Sequence, residues 1–177
     1  MHAPTFTHWQ HVKRLLRFIA GDVDDRTSTS GFLIYLGDTL ISWKSKKQRT
    51  VARSSTEAEY RALALATSET IWIQNLLAEL HYSLPAAPTL YCDNLGAVNF
   101  SSNPVFHSRM KHLALDYHFV RQLVNSRQLL VRYLPTASQL ADLLTKALPV
   151  TRFRLLSCKI GLADAASILR GRIREKS

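Results

Sequence analysis

Apolar and basic residues alternate with helical spacing near the amino terminus. Between Pro4 and Ile19 the apolar positions recur every three to four residues, and the basic residues fall on the opposite side. This pattern predicts a basic amphipathic helix that ends at Gly21. The next residues, Asp22–Ser30, are mostly Asp, Ser and Thr, which are typical of turns, so we expect a polar loop there.

The pattern then changes to that of short strands. Gly31–Leu36 and Leu40–Trp43 are rich in residues that favour strands, and a Gly-Asp-Thr turn separates them, which predicts a hairpin. A third short strand is expected at Thr50–Arg53. The stretch between the second and third strands is predicted to be a basic turn, formed by Lys44, Lys46, Lys47 and Arg49.

A long helix is predicted after these strands. Ser54 and Thr56 are each followed three residues later by an acid, Glu57 and Glu59, which is the capping-box pattern of a helix start. Apolar residues at intervals of three and four then continue to about Leu80. Glu59 heads this apolar stripe, whereas Glu57 points elsewhere.

The second half of the chain alternates between strands and helices. In chain order we predict strand Thr89–Asp93, helix Asn94–Ser101, helix Lys111–Val124, strand Leu129–Leu134, helix Ser138–Leu148 and a basic tail, Thr151–Ser177, that is helical in its first half. A hairpin followed by such alternation indicates an α/β fold with a mixed sheet.

The charge balance of the chain indicates a type of binding partner. Lys and Arg number 23 against 13 Asp and Glu, which gives a formal net charge of +10. Such an excess creates a positive field that favours a polyanion, although a basic soluble protein without such a partner would have the same composition.

Two further observations limit the class of protein. Cys92 and Cys158 lie far apart in a chain without a secretory signal, so we expect two reduced core thiols rather than a disulfide. Charges interrupt every apolar run before it reaches the roughly 20 residues that cross a bilayer. We therefore expect a soluble intracellular protein, cytoplasmic or nuclear, without membrane contact.

Three acids occupy positions that packing alone does not explain. Glu59 heads the apolar stripe of its helix, Asp93 ends a short apolar strand, and Asp142 lies in the first turns of a predicted helix. The carboxyl end of a strand is the edge where α/β folds assemble their sites. Each acid also has a structural explanation, since Glu59 and Asp142 can complement a helix dipole and Asp93 can cap a helix.

Taken together, the three acids point to a metal site. A helix start, a strand end and a second helix start can converge on one sheet edge, and a cluster of carboxylates suits Mg²⁺. Two such ions, about 3.5 to 4 Å apart, would activate water and stabilise the leaving oxygen in phosphodiester cleavage. The basic surface would then hold the nucleic acid.

A series of short motifs follows the chain in a fixed order. They are Asp24-Asp25-Arg26-Thr27-Ser28-Thr29-Ser30-Gly31, Ile41-Ser42-Trp43-Lys44-Ser45-Lys46-Lys47-Gln48, Ser54-Ser55-Thr56-Glu57-Ala58-Glu59-Tyr60, Asp93-Asn94, Asn103-Pro104-Val105-Phe106-His107, Lys111-His112 and Gln139-Leu140-Ala141-Asp142-Leu143-Leu144-Thr145-Lys146. From about Asp22 to Leu162 the chain thus resembles the ribonuclease H region of copia-type long-terminal-repeat retrotransposon Pol polyproteins. Pro4–Phe18 resembles the end of the reverse transcriptase that precedes this region.

The resemblance implies a fold, a reaction and a set of site residues. The fold is a ribonuclease H-like mixed sheet flanked by helices, and the reaction is hydrolysis of the RNA strand of an RNA–DNA hybrid with two Mg²⁺ or Mn²⁺ ions. Glu59, Asp93 and Asp142 match the second, third and fourth metal-binding acids of the family, which makes them the expected catalytic residues. The rest of the Pol polyprotein, including the reverse transcriptase, is an expected partner.

The resemblance also divides the chain into three parts. Residues 1–21 resemble the end of the reverse transcriptase, residues 22–148 are a truncated ribonuclease H-like domain, and residues 149–177 are a basic extension. The truncation concerns the first central strand. In the family this strand lies between the amino-terminal helix and the Asp-Asp-Arg loop, and it carries the first metal-binding Asp near a Ser-Asp-Ala-Asp-Trp-Ala-Gly motif.

That first acid has no match here. The predicted amino-terminal helix runs directly into Ala20-Gly21-Asp22, and Leu16 stands where the Asp belongs. Either an internal deletion or a misjoined gene model at the shared Ala-Gly would leave the sequence in this form. We therefore expect little or no cleavage. We also expect unpaired edges on the hairpin and on the strand that ends at Asp93.

Two alternatives stay open on the sequence. Leu15–Val23 could fill the vacant strand position and bring Asp22 or Asp24 towards the metals, although its helical periodicity argues against this. The chain could also be a non-catalytic basic remnant that only binds nucleic acid.

Several side chains near the motifs are candidates for contact with nucleic acid. They are Asn94, Lys46, Lys47, Arg109 and Lys111, each of which could equally be an ordinary solvated group.

Histidines and tryptophans suggest no additional site. His107, His112 and His118 lack the spacing of a zinc site, and no cysteine pair accompanies them. The tryptophans are expected to be core or interface anchors rather than base-stacking platforms, and they are Trp9, Trp43 and Trp72.

Overall fold

An antiparallel hairpin opens the part of the chain that the computed structural model describes, which comprises residues 27–103 and 113–161. Strand β1, Thr29–Leu36, pairs with strand β2, Thr39–Lys47, and Gly37 adopts a positive φ of 59° in the turn between them. A glycine suits this position because other residues pay a steric cost in the left-handed region. The predicted hairpin is confirmed.

The basic segment after the turn differs from the prediction. Lys44, Lys46 and Lys47 belong to β2, because the register continues until Thr29 pairs with Lys47. The predicted basic turn at these lysines is therefore wrong. The predicted strand at Thr50–Arg53 is also wrong, since this segment pairs with no strand in the described residues and instead leads into a helix.

Helix α1, Ser55–Glu79, agrees with the predicted long helix. The Ser54 hydroxyl accepts a hydrogen bond from the Glu57 N–H at 3.1 Å, as a helix cap does. Oε2 of Glu57 accepts a bond from the Arg53 N–H, one residue before the position expected in a capping box. Glu57 is buried, and its carboxylate is paired with Arg61 at 2.6 Å.

The middle of the chain follows the predicted alternation of strands and helices. Strand β3, Thr89–Cys92, is followed by helix α2, Leu95–Ser102, helix α3, Ala114–Asn125, and strand β4, Leu130–Tyr133. β3 and β4 pair in parallel. The main core lies between these elements and α1, and its largest fully buried side chains include Tyr60, Phe100, Tyr117, Val120 and Leu129.

The carboxyl-terminal part is less regular than predicted. A 3-10 turn at Thr136–Ser138 precedes a short helix α4, Asp142–Thr145, so the continuous helix expected over Ser138–Leu148 is wrong. Gln139 has an extended backbone, which separates the two turns. Helix α5, Val150–Lys159, confirms a helical first half of the tail.

A second, smaller core joins this part to the hairpin. Leu143, Phe153, Leu156 and Ile160 are buried together, and partly buried Leu33 and Tyr35 of β1 pack against them. Helix α5 thereby contacts both α4 and the hairpin.

The strands form two separate sheets. β1 pairs only with β2 and β3 pairs only with β4 among the described residues, so the two sheets share no hydrogen-bonded neighbour there. A cavity of about 880 Å³ lies between β1, α1 and β3. The chain is thus a mixed α/β protein. As the sequence predicts, one edge of the hairpin and one edge of β3 have no partner strand within residues 27–103 and 113–161.

The exposure of the tryptophan and cysteine side chains tests several further predictions. Trp43 and Trp72 are 45% and 59% exposed, so neither is a core anchor, because each lies on the solvent side of its element. Cys92 is a buried free thiol as predicted, whereas Cys158 is free but exposed. Within residues 27–103 and 113–161, no helix combines the length and the apolar character needed to cross a membrane.

Some predictions fall outside the described residues. They concern the helix over Pro4–Ile19, Leu15–Val23, Trp9, His107, Arg109, Lys111 and His112.

Candidate active site

The structure brings the three predicted acids to one place. Glu59 lies in the second turn of α1, Asp93 directly follows β3, and Asp142 is the first residue of α4. All three line the cavity between β1 and β3. Carboxylate oxygens of Glu59 and Asp93 and the Cys92 sulfur lie within 4.8 Å of one another.

A local set of polar contacts brings α1 and the end of β3 together. Asn94 caps α2 by accepting a hydrogen bond from the Ala97 N–H at 2.9 Å, and the Thr56 hydroxyl donates to the same Asn94 oxygen at 3.4 Å. Gly96 permits this approach, because a Cβ at that position would lie 2.8 Å from the Thr56 hydroxyl. The Asn94 side chain is therefore engaged in the scaffold beside Asp93.

The ionised form of the Glu59 carboxyl group is electrostatically disfavoured. Burial raises its pKa above the ordinary value, and the negative charges of Asp93 and Asp142 raise it further, while Lys146 opposes the shift. Because like charges and partial desolvation both penalise the ionised form, an added cation would relieve this penalty.

Lys146 is a site residue that sequence reasoning missed. Its ammonium lies 2.7 Å from Oδ1 of Asp142 and 3.8 Å from Oδ2 of Asp93. Burial lowers the pKa of Lys146, but the hydrogen bond to Asp142 and the charges of the three acids raise it above its ordinary value overall. The sequence contained a signal, since Lys146 follows Asp142 at the spacing of an i, i+4 pair.

Arg152 supplies a second cation from α5. Its guanidinium donates to Oδ2 of Asp142 at 3.0 Å and to the Thr136 carbonyl oxygen at 2.6 Å. Asp142 is only 3% exposed, and its carboxylate lies between the positive side chains of Lys146 and Arg152. No spacing rule connects Arg152 with Asp142, because the link depends on how α5 packs against α4.

Cys92 adjoins the acids but has different chemistry. Burial raises the pKa of its thiol to about 11, the hydrogen bond with Asn94 lowers it, and the nearby Glu59 and Asp93 raise it again. The thiol therefore stays protonated at neutral pH, so the hard ligands available here are the carboxylate oxygens.

The oxygen ligands fit a hard divalent cation. Glu59 and Asp93 offer oxygens close to one another, and the charge of Asp142 acts on Glu59. Lys146 lies within 3.8 Å of both Asp93 and Asp142. Carboxylates of this kind are the usual protein ligands of Mg²⁺ and Mn²⁺. Lys146 neutralises part of the same charge, so it would have to move or share the acids with a metal ion.

The predicted nucleic-acid contacts are distributed differently. Lys46 is exposed and Lys47 is half-buried, and both belong to strand β2 rather than to the turn that the sequence predicts. Asn94 lies next to the acids. Arg109 and Lys111 fall outside the described residues.

Comparisons with known proteins give a consistent set of relatives. The chain is 48% and 47% identical to the retrovirus-related Pol polyproteins from transposons RE2 and RE1 of Arabidopsis thaliana, over 92% of its length. It is 34% identical, over 90% of its length, to the polyprotein from transposon TNT 1-94 of Nicotiana tabacum. The chain spans only 13% to 14% of these relatives. No family model and no solved structure matches it.

The lengths of these alignments reveal an internal difference. They extend over 188, 188 and 184 positions, yet cover only 92%, 92% and 90% of this 177-residue chain. About 25 positions of each relative therefore have no counterpart here.

Proposed function

Since the chain belongs to the retrovirus-related Pol polyproteins of copia-type transposons, of which it spans one region, we propose that it is their ribonuclease H-like region. In this proposal it binds RNA–DNA hybrids and cleaves the RNA strand weakly or not at all. The observation that carries the proposal is the approach of Glu59, Asp93 and Asp142 to one another at the cavity between β1 and β3.

Each acid has a distinct role in this proposal. Glu59 and Asp93, whose oxygens lie close together, would hold a divalent cation. Asp142 would act from α4 and is oriented by Lys146 and Arg152. Bound Mg²⁺ or Mn²⁺ ions, two in an intact family member, would supply an activated water and charge stabilisation for the scissile phosphate.

The basic residues would bind the phosphate backbone. Lys146 is 44% exposed on its side chain and lies beside the acids, and Lys44 and Lys46 project from β2 into solvent. With a net charge of +10, the chain favours salt-dependent association with a polyanion.

Two features support impaired cleavage. The family motif with the first acid has no match in the sequence, which leaves three carboxylates where four are expected to share the cations. Lys146 and Arg152 also neutralise part of the remaining charge. A site with less negative charge binds divalent cations more weakly.

A cleavage assay tests the proposal. The full chain is incubated with a 5′-labelled RNA–DNA hybrid and Mg²⁺ or Mn²⁺, beside the matching region of the RE2 polyprotein and the Asp93→Asn variant. We expect cleavage by the RE2 region only, and saturable binding of the hybrid by both forms of this chain. Turnover comparable with that of the RE2 region, lost in Asp93→Asn, would refute the impairment.

A purely binding role is the second candidate. It is favoured by Lys146, whose ammonium compensates the charge of Asp142 and lies 3.8 Å from a carboxylate oxygen of Asp93. Under this alternative, Asp93→Asn leaves hybrid affinity unchanged or stronger, and affinity falls steeply with salt concentration. Absence of binding to any nucleic acid at low salt contradicts both candidates.

A further inference from the structure

The cavity between β1 and β3 is bounded by strand edges on two sides, as a position for one more strand would be. One side is β1, from Thr29 to Tyr35, and the other is β3, from Thr89 to Cys92. β1 uses one edge to pair with β2, and β3 uses one edge to pair with β4. The described residues supply no partner for the other edges, whose backbone N–H and C=O groups need hydrogen bonds.

The floor of the cavity is suited to close packing of a strand. Ala58, Ala62 and Ala66 of α1 line it at four-residue spacing, so a row of small methyl groups runs along the helix there, with Glu59 beside it. Leu63 and Thr70 continue this surface. An extended, largely apolar segment would bury its side chains against these residues.

The comparisons indicate what is missing. The three relatives carry about 25 residues that this chain lacks. A strand as long as the eight residues of β1 spans about 27 Å. In extended conformation, 25 residues would span roughly 80 Å in total, which is more than one such strand needs.

The connection to the described chain has a matching location. The family resemblance places the missing strand between Gly21 and Asp22, and the described residues begin at Thr27, which itself lines the cavity. A strand inserted at that junction would lie directly before the entrance to β1.

We propose that the cavity is a docking site for a β-strand supplied by another chain. The occupant is an extended, largely apolar peptide, as the lining of the cavity requires, taken from the positions of the relatives that this chain lacks. It binds through backbone hydrogen bonds to the edges of β1 and β3 that the described residues leave without a partner strand. This mode of binding is β-augmentation, with affinity from the main chain and specificity from alternate side chains. The proposal does not depend on nuclease activity.

Binding of a synthetic peptide tests this proposal. The probe is a fluorescein-labelled peptide that copies the stretch of the RE2 polyprotein without a counterpart in this chain, and a scrambled peptide of equal composition is its control. Fluorescence anisotropy with the full chain is expected to show saturable binding of the first peptide and none of the second. Hydrogen exchange is expected to slow at least tenfold at alternate amides of β1, those not bonded to β2.

A pair of variants locates the binding site. Ala62→Trp fills the cavity floor and is expected to weaken peptide binding at least tenfold. Ser68→Trp adds the same side chain at an exposed position of α1 and is expected to leave binding unchanged. Equal affinities of the two variants would contradict docking in the cavity.

The exchange experiment separates the other possible occupants. If Leu15–Val23 of the same chain fills the cavity, the β1 amides are already protected without peptide, and the peptide does not bind. If a second copy fills it, protection rises with protein concentration together with a dimer in light scattering. Either result overturns the proposal, whereas peptide-dependent protection of a monomer supports it.

Discussion

The ammonium of Lys146 lies 2.7 Å from Oδ1 of Asp142, one helical turn earlier, and reaches within 3.8 Å of Asp93. A positive side chain thus occupies the position between two of the acids that our proposal assigns to a divalent cation. Competition between this lysine and a metal ion is the direct consequence.

Replacement of Lys146 is expected to strengthen metal binding. A unit charge pair at about 4 Å is worth ~1 kcal/mol even in water, so Lys146→Gln should tighten Mg²⁺ binding about fivefold or more. The measurement is the Mg²⁺ dependence of the melting temperature. Lys159→Gln, at the exposed end of α5, is the matched control and is expected to behave like wild type. Identical Mg²⁺ responses in all three proteins would show that Lys146 does not compete.

Glu59→Gln is expected to stabilise the chain near neutral pH. The pKa of Glu59 is raised by burial and by the nearby acids, so the folded state holds this proton to higher pH than the unfolded state does. The stabilising contribution of protonated Glu59 is therefore fully present below the pKa that this group has in the unfolded state. It is lost as the pH rises through the pKa of Glu59 in the folded state. The amide removes that loss and should raise the melting temperature at pH 7 by about 3 °C, the shift for ~1 kcal/mol.

The same variant should have little effect at pH 4, where Glu59 is largely protonated in the folded state. Glu79→Gln, at the exposed end of α1, serves as the control for removal of a carboxylate. A melting temperature that rises equally at both pH values would mean that ionisation of Glu59 is not the cause.

Gly96→Ala is expected to disturb the contact between α1 and α2. The new Cβ would lie 2.8 Å from the Thr56 hydroxyl and 3.1 Å from its methyl carbon, so the Thr56 side chain must shift and its bond to Asn94 is lost. A loss of roughly 1–2 kcal/mol is expected in urea unfolding, a cost typical of overpacking. Thr56→Ala should recover much of it, and a double-mutant cycle without coupling would rule out this contact as the source.

The docked peptide is expected to restore hybrid cleavage, provided that both proposals hold. The family resemblance implies that the residues missing from this chain include the first metal-binding acid, so the complex with a peptide that carries it would have four carboxylates. Cleavage should require both the peptide and Asp93, and Asp93→Asn with peptide is the control. Peptide that binds without any cleavage would contradict the nuclease proposal while leaving the docking site intact.

Local patterns predicted most of the elements correctly. Capping, turn chemistry and periodicity determine the helix that begins after Ser54, the β1–β2 hairpin and the β3–α2 turn. Each of these signals lies within a few residues of the sequence. The error at Thr50–Arg53 arose because strand-forming residues need a partner strand, which a single segment does not reveal. The helix expected over Ser138–Leu148 broke at Gln139 for a similarly non-local reason.

The candidate site was predictable in its acids and unpredictable in its cations. Glu59, Asp93 and Asp142 stand at element ends, where sequence position and the direction of the chain together suggest convergence. Arg152 reaches Asp142 only because Phe153 and Leu156 seat α5 beside α4. Such a contact depends on packing between distant segments and has no local signature.

Helix α5 has a practical consequence for the length of a stable fragment. Phe153, Leu156 and Ile160 complete the smaller core, and Arg152 neutralises a carboxylate that is almost inaccessible to water. A protein that ends at Leu148 would leave Leu143 and Tyr35 facing solvent and would deprive Asp142 of one counter-ion. Recombinant versions should therefore extend at least to Gly161, and proteolytic trimming from the carboxyl end is expected to stall there.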